Sequence, residues 1–278
     1  MGAGGMAGHI IALYFKEQGH DVFGFAKREL PYCKTFVGDA LNANDVKAAI
    51  EAEQYDAVIN CIGVLNQFAA ADHAGAVYLN SYLPHYIAKI IKGSNTKLIH
   101  MSTDCVFSGN TGPYTEESFP DGRTFYDRSK AMGEVNDEFN VTFRNSIVGP
   151  DPNANGIGLF NWLMKQSGTI LGYTGAIWTG VTTLTLAKAM EQALRENLTG
   201  LYNLVNNESI NKFDLLQLFN KYFRDGSIDI QPDNHLQLDK SLRHSRMDFS
   251  FVVPGYEQQV KEMKEWVYTH KSIYPHYF

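Results

Sequence analysis

Gly2-Ala3-Gly4-Gly5-Met6-Ala7-Gly8, together with the helical stretch behind it, is the segment whose reading decides the fold. Its glycines follow a GxxGxxG pattern at Gly2, Gly5 and Gly8. Glycine lets a backbone turn tightly and approach a pyrophosphate, whose charge free N–H groups and the positive end of a helix dipole can then hold. The pattern is cheap on its own, and a glycine-rich N-terminus without function reads equally well. Such a loop is expected to follow a strand, yet only Met1 precedes it. The central first strand is therefore expected upstream of this sequence, since its loss would strip ladder hydrogen bonds and core packing from both neighbours. A variant with a defective sheet is the alternative.

Working outward, residues 1–150 alternate short β-rich runs with amphipathic stretches, the pattern of βαβ units. Strands are predicted at 21–25, 35–37, 57–60, 97–102 and 141–146, and helices at 6–17, 44–53, 74–92 and 125–138. The fold class that follows is α/β: a Rossmann-type, doubly wound parallel sheet lacking its first strand in this sequence, with a smaller C-terminal lobe. That lobe, residues 151–278, reads as mainly substrate-binding. It begins with a helix at 159–166 and an irregular Gly/Thr-rich segment through Thr183. A helix, a strand at 201–205, another helix and a last helix at 257–269 follow. No repeat or flexible linker divides the two parts, so a cleft is expected between them.

The 278 residues are 44% hydrophobic with a net charge of -6, ample for a folded core and without the basic footprint of a nucleic-acid binder. Cys33, Cys61 and Cys105 are odd in number and lack CxxC spacing, so they read as reduced thiols of a cytoplasmic protein. The apolar stretch after Gly8 is too short to span a bilayer, and no membrane partner is expected. The nine histidines show no metal-ligand spacing, so no metal site is expected.

After the strand at 21–25 come Lys27 and Arg28. Basic residues there suit the 2′-phosphate of NADP, where an acidic one would suit the ribose of NAD; plain solvated charges are the bland alternative. Asp39, at the end of the next strand, is placed either to meet an adenine or to cap the following helix. Tyr126 and Lys130 are spaced i, i+4 and share a helix face, while Ser102-Thr103-Asp104 ends a buried strand where a hydroxyl would enter the cleft. Thr103 and Tyr126 would then hydrogen-bond a ketone oxygen, with Lys130 lowering the tyrosine pKa and holding the nicotinamide ribose. An ordinary surface helix explains Tyr126 and Lys130 alone.

The run Ser102-Thr103-Asp104-Cys105-Val106-Phe107-Ser108-Gly109, then Pro113-Tyr114-Thr115-Glu116, Tyr126-Asp127-Arg128-Ser129-Lys130 and Gly133-Glu134, resembles the dTDP-4-dehydrorhamnose reductase family of the extended short-chain dehydrogenases. The glycine loop, Asn60-Cys61-Ile62-Gly63 and the run from Arg144 to Pro150 match the superfamily in order. The resemblance covers the first two thirds well and the C-terminal lobe loosely. It implies Thr103, Tyr126 and Lys130 as the catalytic set, and Gly2, Gly5 and Gly8, with Met6, around the pyrophosphate. It also implies Cys61, Ile62 and Gly63 beside the ribose, and Asn145 near the nicotinamide. Ala40, Asn80 and Ser102 complete the candidate cofactor contacts; NADPH is favoured and NADH is the alternative.

The implied reaction is reduction of a keto group on a nucleotide-linked deoxysugar, for capsule, O-antigen or another surface polysaccharide. Cys105, Ser108 and Asn145 depart from the family pattern, so the sugar need not be the rhamnose precursor. Candidate substrate contacts are Asp104, Cys105 and Val106, with Trp178 and Thr182 from the irregular segment. Arg243 or Arg246 would serve the diphosphate. Core packing for Trp178 and solvation for the arginines are the competing readings. A homodimer is expected as a possible assembly. Competing functions are an epimerase or dehydratase with tightly bound NAD, and a non-catalytic regulatory subunit of the same fold.

Overall fold

The helical stretch behind the glycine loop is α1 (Met6–Glu17) of the computed structural model, which describes residues 1–278. Then come β1 (Phe23–Ala26), β2 (Lys34–Val37), α2 (Ala43–Glu51) and β3 (Ala57–Asn60). A short α3 (Asn66–Ala71) precedes a helical rod made of α4 (His73–Ala76), a π-helical turn over Val77–Tyr82, and α5 (Leu83–Ile91). Next are β4 (Lys97–Met101), a single 3-10 turn at Asp104–Val106, α6 (Phe125–Met132) and β5 (Val141–Arg144).

From Ile147 onward the elements are shorter: β6 (Ile147–Val148), α7 (Leu159–Met164), β7 (Thr169–Tyr173), β8 (Ala176–Trp178), β9 (Val181–Thr182), α8 (Thr183–Arg195) and β10 (Gly200–Asn203). β11 (Ile210–Asn211), α9 (Lys212–Phe223), β12 (Asp229–Asp233), β13 (Leu238–Asp239) and α10 (Tyr256–Thr269) complete the chain's main elements. The stretch expected to be irregular thus holds three strands. Their partners are distant, β12 for β7 and both β11 and β13 for β8. Strands this short carry no readable alternation.

The helix expected to reach Glu138 stops at Met132. Gly133 explains the stop: a Cβ built there would lie 1.8 Å from the Asn80 carbonyl oxygen, so the backbone passes too close for any side chain.

β3, β4, β5 and β10 pair in parallel in the order β10-β5-β4-β3, and β1 pairs in parallel with β2. Met1 and Gly2 join the two pieces. The Met1 amino group donates to the Ile59 carbonyl at 2.8 Å, Cys61 N–H to the Met1 carbonyl at 3.2 Å, and Gly2 N–H to the Phe25 carbonyl at 2.9 Å. Beside this bridge no strand lies between β1 and β3. A cavity of about 300 Å³ occupies the gap, lined by Ile11, Phe15, Val22, Phe23, Tyr55 and Ile59 among others.

Helices cover both faces. α1 and α8 pack together on one, burying Ile10, Ile11, Phe15, Leu186 and Met190 against Ile99 and Phe143. α2 and α5 cover the other through Val46, Ile50 and Ile87, which are buried with Leu98 of β4. Each fully buried aliphatic or aromatic side chain contributes about 1.5–3 kcal/mol. This is the doubly wound parallel arrangement expected from the alternation. The boundary at residue 150 is crossed, however, because α8 and β10 return to the main sheet. The smaller lobe has its own core, with Phe160, Leu163, Leu215, Phe219, Ile230 and Met263 buried together.

Candidate active site

The glycine loop turns against the base of α1. Gly2 takes a positive φ of 74°, and a Cβ on Gly8 would fall 2.1 Å from the Gly2 carbonyl oxygen. Gly5 is the N-cap and offers no side chain to the first helical turn, so the leading N–H groups of α1 are left for another acceptor. Met6 borders Gly158 of the smaller lobe.

At the end of β1, Lys27 pairs with Asp39 at 3.3 Å, both at the surface, while Arg28 is exposed and enters no ion pair. Asp39 does not cap α2, since Asn42 does so by accepting from Asn44 N–H. Asp39 accepts from Leu41 N–H instead; that bond and Lys27 hold its carboxyl below the usual range. Ala40 is buried in the core.

The C-terminal ends of β3, β4 and β5 collect the polar residues. Asn80 donates to the Val64 carbonyl at 3.0 Å and to Ser129 Oγ at 3.1 Å, tying the loop after β3 to α6. A Cβ on Gly63 would lie 3.9 Å from Lys130 Nζ. Lys130 donates to the Met101 carbonyl at 2.6 Å, two residues before Thr103. A capping box between Thr124 and Asp127 starts α6 and fixes the first turn that carries Tyr126. Thr103 Oγ1 accepts from Cys105 N–H and donates to Asp104 Oδ1, each at 3.1 Å. It stands close enough to Tyr126 to favour the phenolate by hydrogen bonding.

The structure therefore brings Thr103, Tyr126 and Lys130 together, but with electrostatics other than those expected. Burial, then the neighbouring Cys105, raises the Tyr126 pKa above its ordinary value, and Lys130 is not among the charges acting on it. The ammonium is turned to Met101 instead, and burial lowers it to about 8 against the opposing pull of Glu134 and Cys61. Tyr126 is thus a phenol held in its protonated form.

Beyond β5, Asn145 is 2% exposed, and neither atom of its carboxamide has a hydrogen-bond partner within the protein. A buried amide left unpaired costs about 1–3 kcal/mol, the signature of a group awaiting a ligand. With the side-chain-free approach at Gly8, this orphaned amide fits a dinucleotide lying from the α1 N-terminus across the strand ends. Ser102 does not share that role, because its hydroxyl donates to Glu134 Oε1 at 2.6 Å. Glu134 in turn forms a buried two-pronged pair with Arg144, whose guanidinium lies over the Phe107 ring.

Other nominated residues fall elsewhere. Asp104 and Cys105 border the site, but Val106 is fully buried against Phe107 and Tyr114. Thr182 is the N-cap of α8, accepting from Thr185 N–H. Arg246 is consumed by Asp248 and by the Thr199 and Leu201 carbonyls beside β10, and Arg243 is exposed with no side-chain partner. Trp178 is 3% exposed within the small-lobe core. Sequence reasoning missed Lys212, whose ammonium lies 4.9 Å from the Trp178 ring centroid. Its position directly after a two-residue strand carried no local signal.

Comparison with known proteins places these features in a family context. The family described as RmlD substrate binding domain matches residues 1–267. A probable low-salt glycan biosynthesis reductase, Agl14, of Haloferax volcanii is 31% identical over 137 residues, covering 48% of this chain and 46% of the relative. The methionine adenosyltransferase 2 subunit beta of Xenopus tropicalis is 30% identical over 135 residues, covering 48% and 40%. In these matches the chain spans about half the length of the curated relatives. A dTDP-4-dehydrorhamnose reductase of Bacillus anthracis, solved in complex with NADP, superposes with a TM-score of 0.79 at 19% identity, over 94% of this chain and 96% of that one. That likeness is one of fold.

Proposed function

Because the chain belongs to the RmlD substrate binding domain family, we propose that it reduces a keto group on a nucleotide-linked deoxysugar. NADPH is the favoured donor and NADH the alternative. The observation that carries this reading is the meeting of Thr103, Tyr126 and Lys130 at the end of β4, with the unpartnered amide of Asn145 at the end of the adjacent β5. The Haloferax and Bacillus proteins, a probable glycan biosynthesis reductase and a reductase solved with NADP, support the substrate class and the cofactor.

Gly2, Gly5 and Gly8 would admit the pyrophosphate to the α1 N-terminus, Arg28 would face the 2′-phosphate, and Asn145 would meet the nicotinamide end. When bound, the dinucleotide supplies the hydride that turns C=O into CH–OH. Tyr126, protonated by virtue of its burial, donates the balancing proton to the carbonyl oxygen as charge develops there. Thr103, on turning its single hydroxyl proton away from Asp104 Oδ1, would give that oxygen a second hydrogen bond and orient it. Lys130, charged below a pH of about 8, would hold the nicotinamide ribose rather than act on the phenol. Asn80 acts at one remove, holding the loop after β3 against α6.

The test is loss of nicotinamide absorbance when the protein is mixed with NADPH and a panel of 4-keto-6-deoxy sugars linked to dTDP or UDP. A panel that leaves NADPH unoxidised ends the reading, and turnover without net NADPH consumption selects an epimerase or dehydratase. The match to methionine adenosyltransferase 2 subunit beta favours, as a second reading, a regulatory subunit. Cellular function that survives Tyr126→Phe would put that reading first.

A cytoplasmic setting and a homodimer belong to the same proposal. Three free cysteines support the first, and no helix is long and apolar enough to cross a membrane. Exposed Val77 and Tyr82, beside the stacked His73 and Phe125, support the second, which light scattering tests.

A further inference from the structure

The smaller lobe carries two cations that the proposed chemistry does not use. β8 is the middle strand of a three-stranded sheet ordered β11-β8-β13. Lys212 directly follows β11 and Lys240 directly follows β13, so each strand flanking Trp178 delivers a lysine. The lysines that pair with carboxylates are Lys27, Lys47, Lys188 and Lys221; these two pair with none.

Both stand near the turn that follows Thr103. Lys212 lies over the Trp178 ring at 4.9 Å, and Asp104 and Cys105 are the groups whose charge supports its own. The Lys240 stem passes 3.0 Å from where a Cβ on Gly109 would stand, and its charge favours the Cys105 thiolate. The carboxylate facing them, Asp104, already accepts the Thr103 hydroxyl. Trp178, buried at the foot of this arrangement, is a rigid floor rather than a contact.

Resting on the reductase reading, we propose that Lys212 and Lys240 form an anion subsite above Trp178 that takes the diphosphate of the nucleotide-linked sugar. The sugar would then lie between this subsite and Tyr126, with the Asp104–Cys105 turn along its edge. Two ammonium groups suit the two negative charges of a bridging diphosphate, and a lysine serves phosphate as a mobile point charge. Burial lowers Lys212 to about 8, and an anion beside it would restore its charge. The subsite stands in place of the one expected at Arg243, which is exposed, or Arg246, which Asp248 and the Thr199 and Leu201 carbonyls occupy.

Binding of dTDP, UDP and inorganic pyrophosphate to the purified full chain, followed by calorimetry, tests the subsite without turnover. Lys212→Gln and Lys240→Gln should each weaken dTDP binding roughly tenfold or more. They should raise KM for the sugar far more than they lower kcat, and leave NADPH affinity unchanged. Lys212→Arg should retain most of the dTDP affinity. Folded glutamine variants that bind dTDP as the wild type does overturn the subsite, as does a wild type that binds none of the three probes. Should Lys212→Gln fail to fold, Lys240→Gln carries the same test from the strand on the other side of β8. NADPH oxidation with unaltered glutamine variants would sink the subsite alone. Lysine-dependent dTDP binding without any NADPH oxidation would sink the reductase reading alone.

Discussion

Met101 and Lys130 meet through a 2.6 Å hydrogen bond, in which the ammonium donates to the carbonyl at the end of β4. This contact keeps the amine at the sheet edge, beside Gly63, and leaves the Tyr126 phenol under the control of its own burial. The proton source and the neighbouring ammonium are therefore separate devices, open to separate tests.

Tyr126→Phe removes the proton donor and little else, since Thr103, the side chain beside the hydroxyl, is held independently by Asp104 and by Cys105 N–H. The rate of keto-sugar reduction should fall by roughly 10²–10⁴-fold, with the melting temperature unchanged. NADPH oxidation paired with thermal denaturation checks this. An equal loss of stability would recast Tyr126 as a core residue.

Lys130 makes stability depend on pH. Its folded value of about 8 lies below the ordinary 10.5, so between the two the unfolded chain binds more protons. Stability contributed by this group should rise with pH across that window, by about 3 kcal/mol, and its burial cost is fully felt below pH 8. Urea unfolding of the wild type and Lys130→Met at about pH 7 and about pH 10 reads the difference. The gap between the two proteins should change by that amount, and a gap that ignores pH would refute the assignment.

Gly8→Ala and Gly4→Ala form a matched pair. The first places a methyl 2.1 Å from the Gly2 carbonyl oxygen, the second 3.5 Å from the flexible end of Leu30. Gly8→Ala should cost about 1–3 kcal/mol and abolish measurable dinucleotide binding, and Gly4→Ala should leave both near wild type. Chemical denaturation and NADPH fluorescence titration distinguish them.

Asn145→Leu tests whether the orphaned amide serves a ligand. Removing two buried polar atoms without partners should raise stability, by up to about 1–3 kcal/mol, while weakening NADPH binding. A variant both less stable and unimpaired in binding would show that Asn145 is structural.

Much of the fold was legible in local pattern. α1, α2, the rod running from α4 through α5, and β3 to β5 lie within a few residues of their predicted spans, because apolar residues recurring at helical or strand spacing report the face that must be buried. The pairing of Tyr126 with Lys130 was legible for the same reason, as i, i+4 residues share one side of a helix. Gly133 ended α6 early because of the Asn80 carbonyl, a neighbour far away in sequence.

By itself, then, the sequence determined the order of strands and helices, the glycine turn and the residue types able to do ketone chemistry. Only the tertiary structure decided which chemically similar residues face the crevice. It spent Arg246 on Asp248, Ser102 on Glu134 and Thr182 on the start of α8, and left Lys212, Lys240 and Asn145 without partners. Spacing along a chain encodes local geometry, whereas a polar side chain's availability depends on which distant groups packing brings beside it.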